Sequence, residues 1–312
     1  MIGIEDIGVY IPDARIDNSE KLSEFEIDDT FLKTKTGMSH LARKASDDET
    51  SDLCCAAFED LRSKTKIDTK DIDCVVVVTQ NPDGAGLPHT SAVIHDKLDL
   101  PQSCAVFDVS LGCSGYVYGL SIIQSFMTAN GFTKGILFTA DPYSKIVDPA
   151  DKNTALLFGD AATATLLSDK PKWIAGKFLF GSNGKERHAI ETSTDSAKLK
   201  MNGRAVFSFS ATEVPKNIVA MLEKNKIEID AVDRFVLHQG SRFIIDTLQK
   251  RMSIDPDKMV FDAESYGNTV SSSIPVVLSN LKDQDNTIVI AGFGVGLSWG
   301  STVLYKFTEN GE

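Results

Sequence analysis

The segment Val106-Phe-Asp-Val-Ser-Leu-Gly-Cys113-Ser-Gly-Tyr-Val-Tyr-Gly-Leu120 places a cysteine where a strand gives way to an apolar helix. Gly112, Ser114 and Gly115 permit a sharp turn and leave the sulfur approachable, and the helix is predicted to begin at the cysteine. A helix N-terminus presents unpaired N–H groups and positive partial charge, which favours a thiolate and predicts a lowered pKa for Cys113. The same amides suit an oxyanion formed during thioester chemistry. A buried thiol acting as a small hydrophobe is the commoner role for the residue type, and Cys113 alone does not choose. Cys54, Cys55, Cys74 and Cys104 fall within a helix or strand or at a strand's start, where packing is the expected role.

Three further segments carry polar groups in settings that suit a site. Phe235-Val-Leu-His238-Gln-Gly-Ser241 sets a histidine at the end of an apolar strand, where ligand groups collect in α/β sheets. Ser265-Tyr-Gly-Asn268-Thr-Val-Ser-Ser-Ser273 is turn and helix-cap chemistry with a central asparagine. Ala291-Gly-Phe-Gly294-Val295-Gly296-Leu-Ser-Trp-Gly300 is a glycine-rich strand–turn–strand. No helix opens after its last glycine, so it is not a dinucleotide fingerprint. Taken singly, each segment also admits a purely structural role.

Strands and helices must alternate to position these groups. Strands are predicted at 2–11, 74–80, 104–110, 135–140, 162–168, 234–239, 287–293 and 301–307. Helices are predicted at 51–65, 91–99, 115–130, 213–225, 242–252 and 273–283. Residues 74–80 form a continuous β-branched run, the pattern of a strand covered on both faces. The alternation predicts an α/β protein with mostly parallel sheets. A faint repeat aligns Ile67…Ile72-Asp73-Cys74-Val-Val-Val77 with Ile227…Val232-Asp233-Arg234-Phe-Val-Leu237. Any two αβ units can look alike; if the repeat is real, it divides the chain into halves, 1–170 and 171–312, that meet near Asp169-Lys-Pro-Lys-Trp173.

Composition narrows the classes of function. With 32 Lys and Arg against 44 Asp and Glu, the net charge of −12 repels nucleic acid and anionic membrane on average. No apolar run reaches the roughly 18–20 residues of a membrane span, and the N-terminus lacks the basic start of a signal peptide. Five dispersed cysteines show neither metal-ligand spacing nor a disulfide framework. A reducing cytoplasm is the fitting compartment, and composition by itself names no function.

The ordered set Cys113, His238, Asn268 and glycine-rich turn resembles the condensing branch of the thiolase superfamily, and most of all β-ketoacyl-acyl-carrier-protein synthase III. Other matching segments are Thr34-Lys-Thr-Gly37, Asp48-Glu-Thr-Ser51, Asn81-Pro-Asp83, Asp148-Pro-Ala-Asp-Lys152, Leu157-Phe-Gly-Asp160, Met201-Asn-Gly203 and Trp299-Gly-Ser301. The resemblance implies a thiolase-like fold of two βαβαβαββ halves in five α-β-α-β-α layers, and a homodimer. It implies a nucleophile, Cys113, with His238 and Asn268 as donors to an enolate. The oxyanion would be held by backbone amides of Cys113 and of the Gly294, Val295 and Gly296 turn. It implies acyl-coenzyme A or acyl-carrier-protein donors, a malonyl-carrier acceptor and no cofactor. A thiolase would need a second cysteine after residue 113, and an elongating synthase a histidine in place of Asn268. A papain-like hydrolase lacks its local run here, while a catalytically silent scaffold is argued against by the intact trio. Transfer of the acyl group to a non-malonyl acceptor stands as the alternative activity.

Departures from the family pattern bear on substrate. Phe31 stands where a tryptophan commonly stacks on the coenzyme A adenine, and Lys152 stands for its arginine partner; both stack less well. Ser241 replaces an asparagine that would contact the pantetheine arm, and Leu87 takes the place of an aromatic that gates the acyl pocket across the dimer. Arg242, Lys250 and Arg251 on the following helix form a candidate carrier-docking face, with Phe243, Ile244, Ile245 and Leu248 expected to pack inward.

Overall fold

The computed structural model describes residues 1–281 and 284–308. Its first half carries β1 (Gly3–Tyr10), α1 (Thr50–Thr65), β2 (Cys74–Val78), α2 (Thr90–Lys97), β3 (Ala105–Val109), α3 (Gly115–Asn130), β4 (Lys134–Ala140) and β5 (Ala162–Ser168). The second carries β6 (Trp173–Ala175), β7 (Leu179–Ser182), α4 (Gly203–Asn225), β8 (Arg234–Leu237), α5 (Arg242–Arg251), α6 (Ser273–Asn280), β9 (Thr287–Gly294) and β10 (Ser298–Lys306). Pairing repeats between them. In the first half β3, β2 and β4 run parallel, and β5 and β1 follow antiparallel. In the second, β8 and β9 run parallel, and β10 and then β6 and β7 follow antiparallel, with Met259 bridging to Phe235 where β3 stands in the first half. One residue pair, Ile4 with Trp173, links the two into a continuous sheet.

The faint sequence repeat has a physical basis. Asp73 accepts from the N–H groups of Thr133 and Lys134, and Asp233 accepts in the same way from Asn286 and Thr287. Each carboxylate pins the start of the neighbouring parallel strand. Helices α1 and α2 cover the outer face of the first half's strands, burying Leu53, Cys54, Ala57, Phe58 and Leu61 at helical spacing. Helices α3 and α6 lie between the halves, where Tyr116, Leu120, Ile123, Ile274 and Val277 join Val76, Leu137, Val236, Ile288 and Leu304 in one core. Helices α4 and α5 cover the outer face of the second half. The sequence of layers is α-β-α-β-α, as expected. No helix among the described residues is long and apolar enough to cross a membrane.

Two helix boundaries differ from expectation. Helix α4 starts at Gly203, ten residues before the predicted position, capped by Asn202 and running through Pro215. Proline brings no N–H to the Ala211 carbonyl. Arg251 donates to that carbonyl instead, at 2.9 Å. Helix α6 ends at Asn280, and residues 282 and 283, predicted to continue it, lie outside the described residues.

Candidate active site

Cys113 sits in a turn closed by Gly115 N–H donating to Gly112 O, and α3 begins only after the Ser114 cap. The cysteine therefore precedes the helix rather than opening it. Ser114 Oγ meets Ser298 Oγ at 2.7 Å, tying this turn to the start of β10. Gly294, at the end of β9, lies so close that a Cβ there would stand 2.7 Å from the Cys113 sulfur. The N–H of Val295 and that of Cys113 itself point at the sulfur and oppose a rise in its pKa. Burial wins: the thiol is only 6% exposed and is pushed up to about 12. The lowered pKa predicted from the helix terminus is not found, because Val147, Phe158, Ile190, Leu199 and Val270 enclose the residue in apolar surface. The other four cysteines are also raised by burial, so resting acidity does not single out Cys113; its place on the cavity does.

His238 follows β8 directly, its N–H donating to Ala291 O, and is 3% exposed. Burial lowers its imidazole to about 4, with a hydrogen bond to the Val270 carbonyl pulling the other way, so the ring is neutral near pH 7. Nδ1 lies 2.8 Å from Ser273 Oγ, whose hydroxyl also reaches Val270 O at 3.0 Å. Phe293 meets the ring edge-on at 5.6 Å. Asn268 is pinned by its backbone: its N–H donates to Leu157 O and its carbonyl accepts from Gly159. Its Oδ1 accepts from Val270 N–H at 2.9 Å, which orients the amide and leaves Nδ2 as the group to offer. Gly267 precedes it at φ +87°, with no room for a side chain between Leu41 and Leu157 O.

Cys113, His238 and Asn268 line one cavity of about 210 Å³, together with Gly294 and Val295. Phe31, Lys152 and Ser241 line it too. Lys152 Nζ lies 5.5 Å from the Phe31 ring centre and donates to Phe25 O, so the two replacements contact each other. Ser241 caps α5 by accepting from Ile244 N–H. Sequence reasoning missed Lys35, Phe207 and Tyr143. Phe243 was expected inside α5 but is exposed at the cavity, stacked on Phe207 with Lys35 over its ring at 3.8 Å. Ile244, also expected inward, is half-buried and lines the same cavity.

The basic face is also less free than expected. Arg242 stacks on Phe261 at 4.1 Å and Arg251 holds Ala211 O, whereas Lys250 is exposed. Leu87 is 92% exposed and lines neither this cavity nor the neighbouring one. That second cavity, of about 470 Å³, shares Tyr143, Ile190 and Val295 with the first and is also lined by Gly296.

The model of "3-Oxoacyl-[acyl-carrier-protein (ACP)] synthase III" matches residues 107–184, and that of its C-terminal part residues 222–306. The β-ketoacyl-[acyl-carrier-protein] synthase III of Streptococcus mutans is 31% identical, the alignment covering 96% of this chain and 98% of that protein. The solved synthase III of Thermus thermophilus superposes with a TM-score of 0.90 at 27% identity, over 98% of this chain and 99% of the other. A priming β-ketosynthase of the R1128 polyketide pathway does so at 0.89 and 25% identity, over 98% and 96%. Fold, cavity and likeness along the whole length agree, and the chain belongs to the 3-oxoacyl-[acyl-carrier-protein] synthase III family of condensing acyltransferases.

Proposed function

We propose that Cys113, His238 and Asn268 perform the family's two-step condensation in this chain. The observation that carries the reading is their convergence on one cavity, with Val295 N–H facing the sulfur. In the first step the Cys113 thiol gives up its proton as the sulfur attacks an acyl thioester. Neutral His238 is the base available for it. The N–H groups of Cys113 and Val295 hold the tetrahedral oxyanion, each such donor being worth about 3–4 kcal/mol of barrier. The carrier thiolate leaves and recovers the proton, and the acyl group stays on sulfur. In the second step a malonyl thioester, on acyl carrier protein, takes the vacated place. Its carbonyl oxygen accepts from His238 Nε2–H and Asn268 Nδ2–H while CO₂ departs. The resulting carbanion forms the new C–C bond, and Cys113 leaves as a thiolate that takes up one proton. Electrons balance without metal or redox cofactor.

The same reading takes each chain as two halves, 1–170 and 171–312, and the protein as a homodimer of such chains. Leu87, almost fully exposed on its own subunit, is an apolar side chain for a partner to cover. Lys250, together with Lys35 at the cavity, is the cationic surface available to an acidic carrier. The closed Phe31–Lys152 contact favours a carrier-bound donor over coenzyme A, whose adenine would have to part it. Intact-mass spectrometry after incubation with acyl-carrier and acyl-coenzyme A thioesters tests the reading. One acyl mass should be gained per chain and lost in Cys113→Ala; label on Cys54, Cys55, Cys74 or Cys104 refutes it.

A further inference from the structure

Val270 lies two residues beyond Asn268, on the turn that leads into α6, and takes φ +54°. Six other non-glycine residues among those described have positive φ, and all six are exposed; Val270 alone is β-branched and alone is buried. A branched side chain costs free energy in that conformation, so it persists only where its surroundings hold it. Those surroundings reach all three groups of the site. The Val270 N–H is the donor that orients the Asn268 amide, at 2.9 Å. Its carbonyl faces both the His238 ring and Ser273 Oγ, and its side chain packs in the cluster that encloses Cys113.

The groups that hold the turn come from the other half of the chain. Ser271 Oγ donates to Asp141 Oδ2 at 2.6 Å, and Ser272 Oγ donates to Thr139 O at 3.0 Å. Asp141 directly follows β4 and is fully buried, and its Oδ1 accepts from Gln80 N–H at 2.7 Å, two residues beyond β2. Burial pushes this carboxyl up to about 7, and its contact with Ser271 survives protonation with the donor reversed. Ser271 is joined to Val270 by one peptide bond, so its tether acts on the Val270 backbone first.

We propose that Ser271, held by Asp141, locks Val270 in its left-handed conformation and thereby aims the Asn268 amide for condensation. Ser271 and Val270 are then positioning residues that act through Asn268. The proposal rests on Asn268 donating to the enolate and goes beyond that reading by naming what aims it. Without the tether Val270 relaxes towards extended backbone, its N–H leaves Asn268 Oδ1, and the amide can turn its oxygen towards the enolate.

The test introduces Ser271→Ala into the wild type, Val270→Gly and Asn268→Ala. Acylation of Cys113 is read by intact mass, and malonyl decarboxylation by single turnover on preformed acyl-enzyme. In the wild type, decarboxylation should slow about tenfold while acylation changes by under about threefold. In Val270→Gly the loss should shrink to under about threefold, because glycine takes the left-handed conformation without a tether. In Asn268→Ala it should shrink to under about twofold, because the group to be aimed is gone. A tenfold loss that persists in either background, or equal slowing of both half-reactions in the wild type, overturns the proposal. A Ser271→Ala chain that folds only together with Val270→Gly supports it; one that folds in neither background overturns it, since the bond then holds the fold. If Asn268→Ala slows decarboxylation and Ser271→Ala does not, only this inference fails. If Asn268→Ala leaves decarboxylation untouched, the parent reading falls with it.

Discussion

At the residue scale, a thiol held near 12 and an imidazole held near 4 are both neutral at pH 7, so the nucleophile has to be made during the reaction. Alkylation of free Cys113 by iodoacetamide should accelerate about tenfold per pH unit from 7 to 10, following the thiolate fraction. A plateau near pH 8 would restore the helix-terminus account. Ser273 decides where the single ring proton of His238 sits. When its hydroxyl donates to Nδ1, Nε2 carries hydrogen and can donate to an enolate. When it turns to Val270 O, Nδ1–H donates to Ser273 Oγ and Nε2 is free to accept the thiol's proton. His238→Ala should therefore slow both half-reactions, whereas Asn268→Ala should slow malonyl decarboxylation alone, by roughly 10²–10³. Ser273→Ala leaves only the Val270 carbonyl for Nδ1, so condensation should fall further than acylation. Single-turnover kinetics with preformed acyl-enzyme separates the three variants, and equal loss in both steps for Asn268→Ala would reverse the roles.

At the element scale, the central strands were legible because their apolar runs are buried on both faces: every residue of β2 is buried. Cys113, His238 and Asn268 were legible because each follows a strand or turn whose small residues stand out in the sequence. What was hidden depends on partners distant in the chain. The early start of α4 was missed because proline normally marks a first turn, and only Arg251, 36 positions beyond Pro215, makes an interior proline tolerable. Arg251→Met should lower stability by about 1–2 kcal/mol. In a Pro215→Ala background, where residue 215 again supplies an N–H, the loss should shrink to under about 0.5 kcal/mol. Urea unfolding of the four proteins measures the cycle; an equal loss in both backgrounds would assign Arg251 another role. Tyr143 and Phe243 were illegible for a related reason. An aromatic in a turn or on an amphipathic helix gives no sign of which cavity it will face.

At the scale of the whole molecule, β3 is an edge strand with every residue half-buried, a surface left for another chain. Ala105 N–H and Val109 C=O bond inward towards the neighbouring strand, so by alternation Val106 and Asp108 turn their N–H groups to the free edge. Val106→Pro removes one outward donor and spares the inner ladder. In the proposed homodimer it should shift the mass in light scattering from two 33.9 kDa chains towards one, and an unchanged mass would place the subunit contact elsewhere. The cavity in front of Cys113, about 210 Å³, has a last consequence. Donor and acceptor thioesters must use the same doorway in turn, so each blocks the other whenever it arrives out of order. Output then depends on the proportion of the two in the supply rather than on their abundance, rising and falling again as either is enriched. The protein is thereby a comparator of acyl and malonyl pools, because both are read at one sulfur.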